Sequence, residues 1–384
     1  MSKSKWIYKN LKNSEFQTLA EQFNVHPAII KILADRGIQG EEAVREYLEA
    51  DISRVSDGSE LTDMQRGVDI VYDAVKAGKY IRIMGDYDVD GVSSTYILYK
   101  GLTGLGAKCD KFIPHRITDG YGLHEPAIRD AYDAGVQVIL TCDNGIAAAN
   151  EIKLAKELGI TVVVTDHHEI PYEVRNLSPT DDSANAEEDG DGEVPYETPT
   201  EPGDNEGARH YIIPDADAVI DPKRPEDDGV FKEICGAVVA WKFMWCLYRK
   251  FGKEDEFNNS DFLEVASLGT VCDVMELQHD NRAIVKEGLK KMQNTSNIGL
   301  QALLEVLGLR DKTLTSYDYG FKIGPCINAE GRLDTANEAF DLLVETDYQK
   351  ALEKAAQMRD LNVERQELTK EGIEAAFKII DAEM

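Results

Sequence analysis

Between residues 80 and 166, hydrophobic positions follow two alternating patterns. Short runs of consecutive aliphatic and β-branched residues predict strands, and segments with apolar residues every three or four positions predict helices. The predicted strands are YIRIMG, KCDKFI, VQVILTC and ITVVVTD, and the predicted helices between them are STYILYKGLTGLG, PAIRDAYDAG and ANEIKLAKELG. Strands without polar alternation, separated by helices, usually pair in parallel with helices on both faces. The pattern therefore predicts an α/β domain with a doubly wound parallel sheet.

The flanking segments have helical patterns. HPAIIKILADRGIQGEEAVREYL predicts two short helices with a glycine turn, and MQRGVDIVYDAVKAG predicts an amphipathic helix that ends at glycine. A charged segment with few helix-breaking residues, 348–383, predicts a long exposed helix. We expect three units: an N-terminal helical segment at 1–65, the α/β domain at 66–346, and a long connector helix at 347–384.

The charge balance changes what this domain can bind. The 384 residues include 71 acidic and 42 basic side chains, and the formal net charge of −29 disfavours nonspecific attraction to nucleic acid. A nucleic-acid enzyme would need a local basic groove or bound cations. No Lys or Arg occurs from 177 to 206, so we predict a disordered acidic insertion at 176–209. We interpret it as a solvated loop, and the alternative is a docking segment for a basic partner or a nucleic-acid mimic.

Cysteine spacing and hydropathy exclude several other classes. The six cysteines form no CxxC pair, so neither a zinc ribbon nor a disulfide framework is indicated. No apolar stretch approaches the ~20 residues of a membrane-spanning helix. The start of the chain, MSKSKWIYKN, lacks the apolar segment of a signal peptide. We therefore expect a cytoplasmic protein without a membrane partner.

Acidic and histidine side chains follow several of the predicted strands and one later apolar segment. They are Asp86, Asp88 and Asp90 in GDYDVDG, Asp143 in DNG, Asp166, His167 and His168 in TDHHE, and Asp273 in GTVCDVMEL. Ligands of parallel sheets gather at the carboxyl ends of the strands, where these carboxylates would repel one another unless cations neutralised them. Oxygen and imidazole donors suit Mn²⁺, Mg²⁺, Fe²⁺ or Zn²⁺, and the absence of cysteine favours the harder ions.

Each motif alone has a simpler interpretation, such as a solvated turn or a surface histidine pair. Together they indicate a site for two metal ions about 3.5–4 Å apart, which is suited to phosphoester hydrolysis.

Taken in order, GDYDVDGVSS, DNGI, TDHHE and GTVCDVMEL resemble the four motifs of the DHH phosphoesterase superfamily. Within it the chain is most similar to the RecJ-type single-stranded-DNA-specific exonucleases. That similarity extends over about residues 25–380 and includes ILADRGIQGEEAVREYL, FIPHRITDGYGL, DAVIDPKRP, ICGAVVAWKF and IGPCINAEGRL.

The resemblance implies a set of site residues and a cofactor. Two divalent cations, Mn²⁺ preferred and Mg²⁺ also suited, would be held by Asp88, Asp90, Asp143, His167 and Asp273, with Asp86 and Asp166 beside them as orienting carboxylates. His168 would lie beside the metals and the scissile phosphate, as a ligand or as a donor that stabilises the transition state, and Arg332 would pair with a substrate phosphate. Asn328 would fix the loop of Arg332. The path of the strand would be lined by His115, Arg116 and Tyr121, with Tyr121 stacking on a base.

The function implied is 5′-to-3′ digestion of single-stranded DNA by a metal-bound hydroxide, in DNA repair and recombination. A helicase or a single-strand-binding protein would be a candidate partner, and the oligomeric state stays open. One alternative is a phosphodiesterase for short oligonucleotides or cyclic dinucleotides. Another is a noncatalytic interaction module, although every ligand position is filled here.

Two departures from the family pattern bear on these expectations. Cys326 occupies a position where the family usually has arginine, so a substrate contact is expected to be lost or replaced. The sequence also stops within the long helix, before the DHH-associated and oligonucleotide-binding domains of RecJ. We therefore expect the catalytic half alone.

Overall fold

The computed structural model describes residues 13–116, 120, 122–174, 209–227, 229–333 and 336–383. Its centre is a five-stranded parallel sheet of β1 (Tyr80–Met84), β2 (Lys108–Phe112), β3 (Val138–Cys142), β4 (Thr161–Thr165) and β7 (Ala218–Ile220), in the order β2-β1-β3-β4-β7. Strands β5 (Tyr172–Val174) and β6 (Arg209–Tyr211) form a separate antiparallel pair. The acidic insertion predicted at 176–209 lies outside the described residues apart from Arg209.

Helices account for most of the remaining described residues. Before and within the sheet region they are α1 (Asn13–Gln22), α2 (Pro27–Asp35), α3 (Glu41–Glu49), the 3-10 turn Ile52–Arg54, α4 (Met64–Lys76), α5 (Val89–Gly104), α6 (Glu125–Asp133) and α7 (Ala149–Glu157). After the sheet they are α8 (Gly236–Lys250), α9 (Glu254–Asn258), α10 (Phe262–Cys272), α11 (His279–Met292), α12 (Ile298–Val306), α13 (Ser316–Asp318), a π-helix (Tyr319–Ile323), α14 (Gly324–Leu333), α15 (Ala336–Leu343) and α16 (Tyr348–Glu383).

Side chains of the strands alternate between two hydrophobic layers, because successive residues of a strand point to opposite faces. Ile83 and Leu140 belong to a core that also contains buried residues of α4, α5 and α8. Ile139 and Val164 belong to a second core with α6 and α7. The sheet is therefore covered by helices on both faces, as the continuous apolar strands predicted.

A buried polar network fixes helix α10 against α5 and α12. The Tyr96 hydroxyl donates to Asp261 Oδ2 at 2.6 Å, and the Asn297 side-chain amide donates to the same oxygen at 2.9 Å. Asn297 also donates to the carbonyl of Leu343. Buried polar groups with hydrogen-bond partners rigidify the elements they join. The network thus holds the helix whose last turn leads into Asp273.

The N-terminal helices α1–α3 have a small core of their own, which includes Phe16, Leu33 and Val44. Helix α16 packs through Ala351 and Met358, and its later turns are exposed, so the predicted long helix is present but only partly exposed. Division of the chain after residues 65 and 346 stays a prediction. In the described ranges, every helix is too short or too polar to cross a membrane.

Candidate metal centre

The loop after β1 brings carboxylates to the carboxyl edge of the sheet. Asp88 is the N-cap of α5, and its Oδ1 accepts hydrogen bonds from the backbone N–H groups of Asp90 (2.9 Å) and Gly91 (3.0 Å). A Cβ atom at Gly91 would lie 2.5 Å from the carbonyl oxygen of Asp86. Only glycine fits at this position. Gly91 therefore allows the tight turn of GDYDVDG, which brings Asp86 and Asp88 close together.

Asp90 lies in the first turn of α5 and is held by the N-terminus of α8. Its Oδ2 accepts from Gly236 N at 2.7 Å and its Oδ1 from Ala237 N at 3.0 Å. Free N–H groups at a helix N-terminus stabilise a negative charge. Gly236 also lies against Asp143, because a Cβ atom at Gly236 would be 2.7 Å from Asp143 Oδ1.

His167 is the point on which the carboxylates converge. Its Nε2 lies 3.0 Å from Asp143 Oδ1, 3.6 Å from Asp90 Oδ2 and 3.8 Å from Asp273 Oδ2. Asp143 follows β3 and has a positive φ of 59°, an uncommon conformation for a residue with a side chain. The site therefore combines residues from the ends of β1, β3, β4 and α10.

A second histidine is held beside this group by Asp166. His168 Nδ1 lies 2.7 Å from Asp166 Oδ1, and the other oxygen of Asp166 accepts from Ile146 N at 2.8 Å. Burial would raise the pKa of Asp166, but the hydrogen bond from His168 and the imidazole charge outweigh it and lower that pKa. Burial likewise opposes protonation of His168, yet Asp166 raises its pKa to about 9. Asp166 therefore favours the protonated form of His168, and 43% of the His168 side chain is exposed.

The remaining carboxylates are held in an unfavourable environment. Burial, followed by the charge of Asp88, raises the pKa of Asp86 to about 7. Burial and the charges of Asp90 and Asp88 raise the pKa of Asp273 to about 7. Burial and the charge of Asp90 raise the pKa of Asp88, and burial with the charges of Asp90 and Asp88 raises the pKa of Asp143 well above its usual value. Bound cations would relieve this repulsion.

The donor set fits divalent cations. Three groups each bring their ligand atoms within 4.8 Å of one another: Asp143, His167 and His168; Asp90, His167 and Asp273; and Asp86, Asp88 and Asp143. Among the described residues, no hydrogen-bond partner reaches the buried Oδ1 of Asp86. Carboxylate oxygens suit Mn²⁺ and Mg²⁺, and the imidazole donor is also compatible with Fe²⁺ or Zn²⁺. None of the six cysteines, all in described ranges, forms a disulfide.

Two polar residues near the site were not singled out from the sequence. Asp221 directly follows β7 and is fully buried; burial, followed by the charge of Asp166, raises its pKa to about 8. Lys223 Nζ bonds to Glu169 at 2.7 Å, and its charge lowers the pKa of Asp273. The signal was available, because DAVIDPK places both residues just after an apolar run, as in the other motifs.

Some of the predicted substrate-binding residues contact the loop that carries Asp86, Asp88 and Asp90. Asn328 Oδ1 accepts from Val89 N at 3.1 Å, so it contacts the loop that carries Asp88 and Asp90. Arg116 lies over the Tyr87 ring at 5.1 Å, and its charge lowers the pKa of Asp86. His115 is half-buried in the same segment as Arg116.

Two of the remaining predicted residues have no described side chain, and the third, Cys326, lies in the core. Tyr121 lies outside the described residues, and Arg332 is in α14 with a side chain that is not described. Cys326 is buried and its thiol bonds to the Lys322 carbonyl, so the departure from the family pattern points into the core.

Comparison with known proteins identifies the family. Residues 80–190 match the DHH family, N-terminal domain. A crystal structure of exonuclease RecJ bound to manganese matches with a TM-score of 0.66 and 30% identity, covering 82% of this chain and 69% of that one. The chain belongs to the RecJ family. The resemblance predicted from its motifs is thereby confirmed, as is the α/β fold class.

Other RecJ proteins match along nearly the whole chain. The single-stranded-DNA-specific exonuclease RecJ of Bacillus subtilis is 31% identical over 380 residues, which are 99% of this chain and 42% of that protein. Thermus thermophilus RecJ in complex with Mn²⁺ matches with a TM-score of 0.70 and 27% identity, covering 94% of this chain and 46% of that one. Its complex with Mg²⁺ gives 0.63 and 25%, covering 94% and 43%. The chain thus spans about half the length of these RecJ proteins, or less.

Proposed function

We propose that this RecJ-family chain is a metal-dependent phosphodiesterase that digests single-stranded DNA from the 5′ end, in DNA repair and recombination. The observation that carries the proposal is the position of His167 Nε2, within 3.8 Å of carboxylate oxygens of Asp90, Asp143 and Asp273. Such a set of nitrogen and oxygen donors is typical of hydrolytic metal sites. The RecJ relatives named as single-stranded-DNA-specific exonucleases support the choice of substrate.

Five residues would hold two divalent cations, with Mn²⁺ preferred and Mg²⁺ also accepted: Asp88, Asp90, Asp143, His167 and Asp273. When bound, such cations lower the pKa of water and stabilise the leaving oxygen of a phosphodiester. Asp86 would help to orient the ligand Asp88, because Asp86 is buried close to it. The preference for Mn²⁺ and Mg²⁺ is supported by RecJ structures in complex with these ions.

His168 would contact the substrate directly. Its imidazole is held by Asp166 at 2.7 Å, has its pKa raised by Asp166, and stays partly exposed at the edge of the carboxylate group. A fixed cationic donor stabilises the charge that develops on a phosphate oxygen in the transition state. Asp166 would act as a positioning residue, because it fixes the ring of His168 and carries no exposed oxygen itself.

The negative chain would still need local positive groups to receive DNA. Arg116 lies next to the metal-binding loop through Tyr87, and Lys223 lies near Asp273. Arg332 belongs to the same proposal by its place in the family motif. We also propose a cytoplasmic location. A helicase or a single-strand-binding protein would be a suitable partner, because such an enzyme requires unpaired DNA.

The test is release of labelled nucleotide from 5′-labelled single-stranded DNA by the purified 384-residue chain with Mn²⁺. We expect digestion by the wild type and by Asp255→Asn, a control on the exposed surface of α9, and none by Asp143→Asn. Equal activity of Asp143→Asn and wild type would contradict the site. Cleavage of dinucleotides without digestion of longer strands would instead favour the short-oligonucleotide alternative.

A further inference from the structure

An exposed aromatic pair borders the carboxylate site. The rings of Tyr317 and Phe321 are stacked, with centroids 4.7 Å apart and an interplanar angle of 19°. The two residues are 60% and 67% exposed, and Val274, which lines the same cavity, is 86% exposed. We call Tyr317, Phe321 and Val274 the aromatic platform. Contiguous exposed apolar groups of this kind usually mark a binding surface.

The backbone of this platform is irregular on both sides. Phe321 lies in a π-helix, a form that occurs mostly as short insertions and frequently at functional sites. Val274 has a φ of 60°, which is a steric outlier for a β-branched residue. Strained conformations persist where the surroundings enforce them, and they cluster at ligand-binding sites. Val274, with this conformation, directly follows Asp273 and is exposed.

The cavity beside the platform shares walls with the metal centre. Its volume is about 500 Å³, within the usual range for small-ligand sites, and its lining includes Cys272, Val274 and Asn328. Cys272 immediately precedes Asp273, and Asn328 holds the backbone of Val89 between two of the proposed metal ligands. A molecule in this cavity would therefore lie next to a phosphate held at the carboxylates.

From this juxtaposition we infer that Tyr317 and Phe321 form a stacking site for an unpaired base of the DNA strand, next to the scissile phosphate. The inference rests on the proposed function and adds a subsite to it. Exposed aromatic rings bind bases of any sequence, because every base has a π face. The Lys322 ammonium lies 5.7 Å from the centroid of the Tyr317 ring and forms an ion pair with Asp318 at 2.6 Å.

The first experiment is photo-crosslinking of the wild-type chain with an oligonucleotide of 5-iodo-2′-deoxyuridine, in which phosphorothioate linkages slow hydrolysis. We expect the crosslink in the peptide that contains Tyr317 and Phe321. A peptide containing Tyr132, an exposed tyrosine on α6, serves as the internal control. Crosslinking at other peptides alone would overturn the subsite, and this readout does not depend on turnover.

The second experiment measures KM and kcat for single-stranded DNA. Alanine in place of a stacking ring typically costs a factor of roughly 5 to 150 per base. We therefore expect Tyr317→Ala and Phe321→Ala to raise KM about tenfold with kcat nearly unchanged, Phe321→Leu to behave like Phe321→Ala, and the control Tyr132→Ala to match wild type. Removing the base next to the scissile phosphate should raise KM for wild type and have little further effect in the variants.

The outcomes separate the subsite from the function. If wild type digests DNA while the platform variants keep the KM of Tyr132→Ala, the subsite is wrong and the function stands. If wild type digests no DNA, the proposed function fails, and the crosslink alone decides whether the platform binds a base.

Discussion

Asp86 offers a test of whether the group of carboxylates binds cations, because ionisation of this buried side chain destabilises the folded protein when no metal is bound. The side chain is 2% exposed, lies near Asp88, and has an oxygen without a hydrogen-bond partner among the described residues. The change Asp86→Asn keeps the shape and removes the charge. We expect the metal-free variant to be more stable than metal-free wild type at alkaline pH.

The magnitude follows from the pKa of Asp86, which burial and Asp88 raise from 3.8 to about 7. Because the folded state keeps a proton that the unfolded state has lost, wild-type stability falls as pH rises through this interval. The shift corresponds to about 4 kcal/mol once Asp86 is ionised in both states. Asn carries no such cost, so its advantage should be about 4 kcal/mol at pH 8 and less than half of that at pH 5.

The assay is urea unfolding of wild type, Asp86→Asn and the surface control Asp255→Asn in EDTA at both pH values. Addition of Mn²⁺ at pH 8 should narrow the difference between wild type and Asp86→Asn, because a ligand that binds only the folded state stabilises it, and the cations offset the charge of Asp86 in wild type. The reasoning is refuted if metal-free Asp86→Asn is no more stable than wild type at pH 8. It is also refuted if the difference is the same at pH 5.

Three further changes separate the site from the scaffold. Gly236→Ala places a Cβ atom 2.7 Å from Asp143 Oδ1 and should displace that carboxylate, so the affinity for Mn²⁺ measured by calorimetry should fall about 10- to 100-fold. Unchanged affinity would contradict the close contact between Gly236 and Asp143. His168→Gln should lower kcat for DNA about 10²- to 10³-fold with Mn²⁺ binding retained, and loss of binding instead would make it a ligand. Lys242→Met leaves Asp280 unpaired and should cost about 3–5 kcal/mol in urea unfolding, with unchanged activity of the folded enzyme.

The sheet and the position of the site were predictable because they depend on local pattern. Runs such as VQVIL and TVVV are too apolar for a surface strand, and in a parallel sheet the residues that follow them must meet at one edge. Asp143 and His167 come together for this reason, although they are distant in sequence. The turn at Gly91 was also readable from DG, a common turn signal.

Other features depend on packing that no local pattern reports. The π-helix at Tyr319–Ile323 reads as ordinary helix in sequence, and the close contact of Gly324 with Cys272 that accompanies it is a tertiary one. Similarly, Asp221 lies near Asp166 only because β7 pairs with β4, across a long connection in sequence. The buried position of Cys326 likewise follows from its packing near Asn362 of α16.

The central claim is that the carboxylates around His167 bind two catalytic cations, and Mn²⁺ stoichiometry tests it most directly. Isothermal titration of the metal-free chain at pH 8, with electron paramagnetic resonance of the bound Mn²⁺, gives both the number of ions and their proximity. The account predicts two ions with mutual spin coupling in wild type and in Asp255→Asn, and loss of at least one ion in Asp143→Asn. Absence of Mn²⁺ binding in wild type, or identical binding in Asp143→Asn, would contradict it.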